Sequence, residues 1–330
     1  MLSKRIPIIV DTDIGGDIDD AWALALLLRS PEFDIRLIST AVGDTVARAK
    51  ITAKMLEAAG RTDIPIAIGL REINMDCYCR SWADDYDLAV YPGAIYDGDG
   101  AIKAIVDAVN DCEEQMTVLA LAPLSNIAAA LDMCPGIAER SRLVGMLGSV
   151  YRGYNGVNTP SKECNIVKNI PAAQKVFNSV WDMTITPLDT CGLVKLRGDK
   201  YKAVRESDSP LVKSLIENYD VWLKRPGFAT HPYAPLSDID IQSSTLFDTV
   251  AVYLAMKEDL FEMRSLPVTV SDDGYTVVQN GAKMIDCAVG WKYLPLFENF
   301  LVERLADGCR CGANTAVKAR THKADFVSVK

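Results

Sequence analysis

The sequence predicts an α/β fold: a single domain with a mainly parallel central sheet flanked by helices, plus a small β excursion toward the C-terminal end. Three observations predict it. Short β-branched runs alternate with helical patterns through the first half of the chain, the sign of successive βαβ units. Past residue 205 the pattern turns helical and then briefly back to β. With 330 residues, 49% hydrophobic and 24% charged, the chain has ample apolar material for a core, so disorder is not the default.

Strands are expected over 6–10, 35–42, 64–68, 116–122, 143–147 and 183–187. Helices are expected between them over 21–29, 48–59, 101–110 and 125–131; in the second, Ile51, Met55, Leu56 and Ala59 share one face. Two long connections interrupt the alternation. One, over 70–100, is rich in aromatic and acidic residues, and the other, over 148–171, in Gly, Asn and Pro. Loops of such length inside a compact domain are usually lids or binding loops. Helices are expected again over 211–223 and 246–255, then β structure over 267–289 with Asn280-Gly281 as a hairpin signal, then a helix over 294–305. No internal repeat, low-complexity tract or linker divides the chain.

A net charge of -9 without a Lys/Arg cluster disfavours binding to nucleic acid and leaves a small molecule as the expected partner. The first apolar run, 6–10, is too short for a secretory segment or membrane span, so a soluble cytoplasmic protein is expected. Nine cysteines, an odd and scattered set, read as reduced thiols. Cys77 and Cys79, and Cys309 and Cys311, are the only close pairs, and with only His231 and His322 to join them a zinc site is not expected.

Five aspartates follow the first predicted strand within ten residues: Asp11-Thr12-Asp13-Ile14-Gly15-Gly16-Asp17-Ile18-Asp19-Asp20. The carboxyl end of a strand, before a helix, is where ligands bind in open α/β sheets. Clustered carboxylates repel one another, so a fold that concentrates them normally supplies a cation, and an all-oxygen set suits Ca²⁺ or Mg²⁺. Gly15 and Gly16 let the backbone wrap tightly. Helix capping by Asp19 and Asp20 would explain one or two of the five. The Asp11-Thr12-Asp13 strand end is also similar to the nucleophile loop of haloacid-dehalogenase-type phosphatases, in which the first aspartate attacks phosphorus, but Gly15 stands where those loops carry Thr or Val.

The chain resembles the inosine-uridine-preferring nucleoside hydrolase family at four places in order: the aspartate loop, Leu121-Ala122-Pro123-Leu124-Ser125-Asn126, the segment Glu163-Cys164-Asn165, and Leu246-Phe247-Asp248-Thr249-Val250-Ala251. The resemblance implies a Rossmann-like sheet, a homo-oligomer and Ca²⁺-dependent hydrolysis of ribonucleosides to ribose and free base. It implies that Asp13, Asp20, Asp248 and the carbonyl of Leu121 hold Ca²⁺ and that Asp13 is the general base. It places Asp19, Glu163 and Asn165 on the ribose hydroxyls, Met146 in the sugar pocket and Asp44 near the catalytic water, as part of the substrate-binding set. These residue types suit an oxocarbenium-like state, which anionic, oxygen-rich walls stabilise.

Three positions depart from the family pattern. Phe247 stands where many members carry a histidine that helps the base leave; Tyr219, Trp222, His231 and Tyr233 are candidates for contacting the base instead. Val157 replaces an asparagine, so either Asn155 or Asn158 substitutes for it or the contact to the sugar 5′-hydroxyl is lost. Asp17, in a longer loop than is common, is expected to be an exposed carboxylate.

Overall fold

The computed structural model describes residues 4–225 and 239–306. The chain opens with β1 (Ile6–Thr12), α1 (Asp19–Leu28), β2 (Phe33–Thr40), α2 (Thr45–Ala58) and β3 (Ile66–Ile68). β4 (Ile95–Asp97), α3 (Asp99–Asn110), β5 (Met116–Ala120), α4 (Ser125–Met133), α5 (Ile137–Arg140) and β6 (Ser141–Met146) follow. After β6 come α6 (Cys164–Val167), which lies inside the connection expected over 148–171, α7 (Ile170–Phe177), β7 (Asp182–Thr186), α8 (Leu188–Cys191), α9 (Gly198–Arg205), α10 (Pro210–Leu223), α11 (Phe247–Met256), β8 (Phe261–Val270), β9 (Thr276–Val278), β10 (Met284–Trp291) and α12 (Leu294–Leu305).

All these strands join one sheet, in the order β4-β3-β2-β1-β5-β6-β7-β10-β8-β9. The pairings from β4 through to β10 are parallel, and β8 pairs antiparallel with both β10 and β9. Helices cover both faces. Ile8 and Val10 of β1 point into a core with Trp22, Leu26, Ile51 and Val250, while Ile9 points the other way, toward Val118, Ile127 and Trp181. Burial on both faces is why the central strands are continuous apolar runs. α11 is buried from Phe247 to Ala255 and packs on α1, β5 and β6, so it carries almost no polar face. Among the described residues no helix is long and apolar enough to cross a membrane.

Several expectations are corrected. The β excursion starts earlier, at Phe261, and extends the main sheet through β10 beside β7. Asn280-Gly281 does turn, with Gly281 at φ +86° and the Ala282 N–H donating to the Gln279 carbonyl at 3.0 Å. It carries the chain past β8, however, and the hairpin is made by Asp273-Gly274, where Gly274 has φ +89° and joins β8 to β9. The two dipeptides are equivalent turn signals, and strand pairing chose between them. β4 lies inside the connection expected over 70–100. Asp19 and Asp20 belong to the first turn of α1, and no side chain caps that helix.

Candidate active site at the carboxyl ends of the central strands

β1 lies between β2 and β5, so the loops leaving β1 and β5 run to opposite sides of the sheet and leave a crevice. The aspartate loop leads from β1 into α1 across it. Leu121 follows β5 and is fixed there by its N–H, which donates to the Asp11 carbonyl at 2.8 Å. Asp248 comes from the first turn of α11, which packs on α1, and its backbone N–H donates to the Asp19 carboxylate at 3.3 Å. Glu163 caps α6, accepting from the N–H groups of Asn165 (2.7 Å) and Ile166 (3.2 Å) and also from Gly148 (3.0 Å). The Asn165 amide donates to the carbonyls of Leu121 (3.3 Å) and Met146 (3.0 Å), tying this segment to the ends of β5 and β6.

The loop between β1 and α1 is held from behind. Gly15 sits at φ +93°, and a Cβ there would lie 2.7 Å from Ile51 Cδ1 and 2.8 Å from Cys77 Sγ, so only glycine fits. Fully buried Arg48 of α2 donates to the carbonyls of Val42 (2.8 Å), Asp13 and Ile14 (2.9 Å), spending its guanidinium on the loop backbone. The Cys79 N–H donates to the Gly15 carbonyl at 3.1 Å, and Trp222 Nε1 to that of Gly16 at 3.2 Å.

The resulting cavity, about 390 Å³, is of small-molecule size. Asp13, Asp19, Asp20, Asp248, Leu121, Met146, Glu163 and Asn165 all line it, as the sequence led one to expect, and so do Trp222 and Phe247. Carboxylate oxygens of Asp19, Asp20 and Asp248 lie within 4.8 Å of one another. Burial raises all three carboxyls well above the ordinary range, and their mutual repulsion adds to it. Asp13 is raised by burial too, with Arg48 opposing. Burial likewise pushes Glu163 up to about 7 against the three N–H donors. Among the described residues no Lys or Arg pairs directly with Asp19, Asp20 or Asp248. A divalent cation fits this donor set: buried, all-oxygen and short of positive charge.

Other candidates sit elsewhere. Asp44 does not line the cavity; its carboxylate caps α2 through the Ala47 N–H (3.0 Å) and pairs with Arg80 (3.0 Å). Tyr219 is a core residue, its hydroxyl donating to the Gln242 carbonyl at 3.3 Å and its ring 6.0 Å from Trp222. Asn155 and Asn158 are exposed and outside the lining. His231 and Tyr233 lie outside the described residues. Asp11, the aspartate that a phosphatase would use as nucleophile, is buried and outside the cavity lining, with Oδ1 accepting from the Ser39 hydroxyl (2.6 Å) and the Asn126 amide (2.8 Å). Asp17, expected to be an exposed loop carboxylate, lines the cavity.

Both long connections contribute to the lining, and beyond Glu163 and Asn165 they bring residues that the sequence does not single out. Asn74, Met75, Asp76 and Tyr78 come from the first, and Tyr154, Cys164 and Lys168 from the second. Arg225 closes the wall after α10. A loop carries no periodicity, so nothing in its sequence says which side chains turn inward.

Residues 8–299 match the family described as inosine-uridine preferring nucleoside hydrolase. The chain is 27% identical over 309 residues to a probable uridine nucleosidase 2 of Arabidopsis thaliana, covering 89% of this chain and 92% of that one. It is 30% identical over 298 residues to a non-specific ribonucleoside hydrolase of Salmonella paratyphi B, covering 86% and 89%. A solved purine-preferring ribonucleoside hydrolase from Gardnerella vaginalis superimposes with a TM-score of 0.73 over 91% of this chain and 98% of that one; at 21% identity this likeness speaks for the fold.

Proposed function

The chain belongs to the inosine-uridine preferring nucleoside hydrolase family and is a nucleoside hydrolase, and from that premise we propose that its cavity cleaves ribonucleosides to ribose and free base with Ca²⁺ bound at the aspartate cluster. The observation that carries this reading is the convergence of Asp13, Asp19, Asp20 and Asp248 on one buried cavity from two ends of the chain. Asp20 and Asp248 would hold the ion with Asp13 and the Leu121 carbonyl, and Asp19 stands close enough to share it. Bound there, the cation would lower the pKa of water and fix ribose hydroxyls.

The chain's own residues do the rest. Asp13 takes a proton from the attacking water. Asp19, Glu163 and Asn165 bind the ribose hydroxyls, and Met146 packs against the sugar. The carboxylates stabilise positive charge as it develops at the anomeric carbon. Holding ribose and water together in a reactive geometry is worth about 7–11 kcal/mol of barrier in well-oriented systems.

The test is a reducing-sugar assay on a panel of purine and pyrimidine nucleosides, with and without chelation of divalent ions. Ribose release that chelation abolishes and Ca²⁺ restores is the expected result. No release from any nucleoside by Ca²⁺-loaded protein would overturn turnover and leave a ribose-binding relative.

A further inference from the structure

Cleaving the bond between the anomeric carbon and a base nitrogen sends the bonding pair to the base, so negative charge grows there while positive charge grows on the sugar. The floor of the cavity, with Asp13, Asp19, Asp20, Asp248 and Glu163, suits the sugar and would repel a departing anion. Phe247, in the same wall with its ring edge-on to Tyr154 at 6.1 Å, offers neither a charge nor a proton. Among the described residues two cations line the cavity, Lys168 and Arg225. Lys168 is exposed at the end of α6. Arg225 is only 7% exposed. Its guanidinium lies 3.8 Å from the centre of the Trp222 ring and 4.8 Å from that of Tyr78, and Nη1 donates to the Trp222 carbonyl at 2.6 Å. Trp222 is itself tied to Gly16 of the aspartate loop. Two aromatic faces and a backbone carbonyl thus hold a permanent cation in the cavity wall, in register with the loop that carries the sugar-binding acids.

We propose that Arg225 is a catalytic residue that receives the departing base: Tyr78, Arg225 and Trp222 form the base subsite, and the guanidinium stabilises the negative charge that develops on the base. The inference rests on the hydrolase reading. The N-glycosidic bond breaks with its electron pair going to the base nitrogen, and the water oxygen forms the new bond to the anomeric carbon. Asp13 accepts the water's proton and returns it to solvent, while the base takes one proton from solvent. Arginine stays protonated throughout and transfers none.

The test compares leaving groups. p-Nitrophenyl β-D-ribofuranoside departs as an anion that is stable by itself, whereas uridine and inosine need help. Arg225→Ala should lower kcat/KM for uridine and inosine by ~10²-fold, the scale for removing one positioned electrostatic contact, and lower it much less for the nitrophenyl riboside. The ratio of the two therefore rises at least ~10-fold, and Arg225→Lys, which keeps a cation on the same stem, falls between. Because the readout is a ratio within one preparation, partial misfolding of a variant cancels. An unchanged ratio in both variants, with the wild type active, overturns this inference alone. A wild type that hydrolyses neither class overturns the hydrolase reading and this inference with it.

Discussion

Removing divalent cations should lower the melting temperature more at about pH 8 than at about pH 5, because protons and metal compete for the same buried carboxylates. Burial raises Asp19, Asp20 and Asp248 well above their ordinary value in the folded chain. A carboxyl raised on folding binds protons more tightly in the folded than in the unfolded state. Its stabilising effect is complete below the unfolded value and is lost as pH rises through the folded one. Glu163, raised from 4.5 to about 7, sets the scale: at 1.36 kcal/mol per unit of difference, about 3 kcal/mol of stability disappears across that window. The three aspartates are raised in the same direction by the same burial, and a cation among them replaces the protons they would otherwise need. For a chain of this size each kcal/mol moves the melting temperature by roughly 2 °C, so the loss on chelation should be ~6 °C larger at the alkaline end. The assay is a thermal melt followed by circular dichroism, with Ca²⁺ or with chelator, at both pH values. A chelation effect that is equal at the two pH values, or larger at the acidic one, would refute the reasoning.

Further variants probe the machinery around the cluster. Asp13→Asn should lower kcat at least ~10²-fold, the lower end for loss of a general base, and wild-type turnover in that variant would remove Asp13 from the mechanism. Gly15→Ala places a Cβ against Ile51 and Cys77 at φ +93°, so urea melts should show a loss of about 2–4 kcal/mol; a loss below ~0.5 kcal/mol would mean that the loop adapts freely. Asp189 accepts backbone N–H bonds from Val150 (2.8 Å), Tyr151 (2.8 Å) and Arg152 (3.2 Å), fixing the start of the loop that reaches Tyr154 and Glu163. Asp189→Asn leaves at least one of these donors unpaired and should cost about 1–3 kcal/mol in the same melt, with KM for nucleosides rising; an unchanged KM would separate that loop from substrate binding.

Much of the site was legible because short-range chemistry marks it. Five aspartates in ten residues between a strand and a helix have few structural uses, and all but Asp11 line the cavity. Glu163 and Asn165 were expected through the family resemblance, and both line the cavity. Asp44 shows the converse: a carboxylate just before a helix satisfies the sequence pattern equally well by binding a ligand or by capping that helix, and here it caps α2 outside the cavity lining. Tyr219 and Trp222, three apart on α10, were indistinguishable in sequence, yet one is core and the other meets both the cavity and the Gly16 carbonyl.

By itself the sequence determined the alternation of strands and helices, the location of an acidic, oxygen-rich site at the end of the first strand, and the family. These follow from periodicity and from residue types at fixed spacing, which depend on neighbours along the chain. The tertiary structure alone decided that the backbone of Asp248 meets Asp19 across 229 residues, that Asp273-Gly274 makes the hairpin instead of Asn280-Gly281, and that Arg225 lies over the rings of both Trp222 and Tyr78. Each is a contact between segments whose separate patterns are silent about one another. Strand order and helix packing bring them together, and burial then sets which charges are raised, paired or left for a cation to balance.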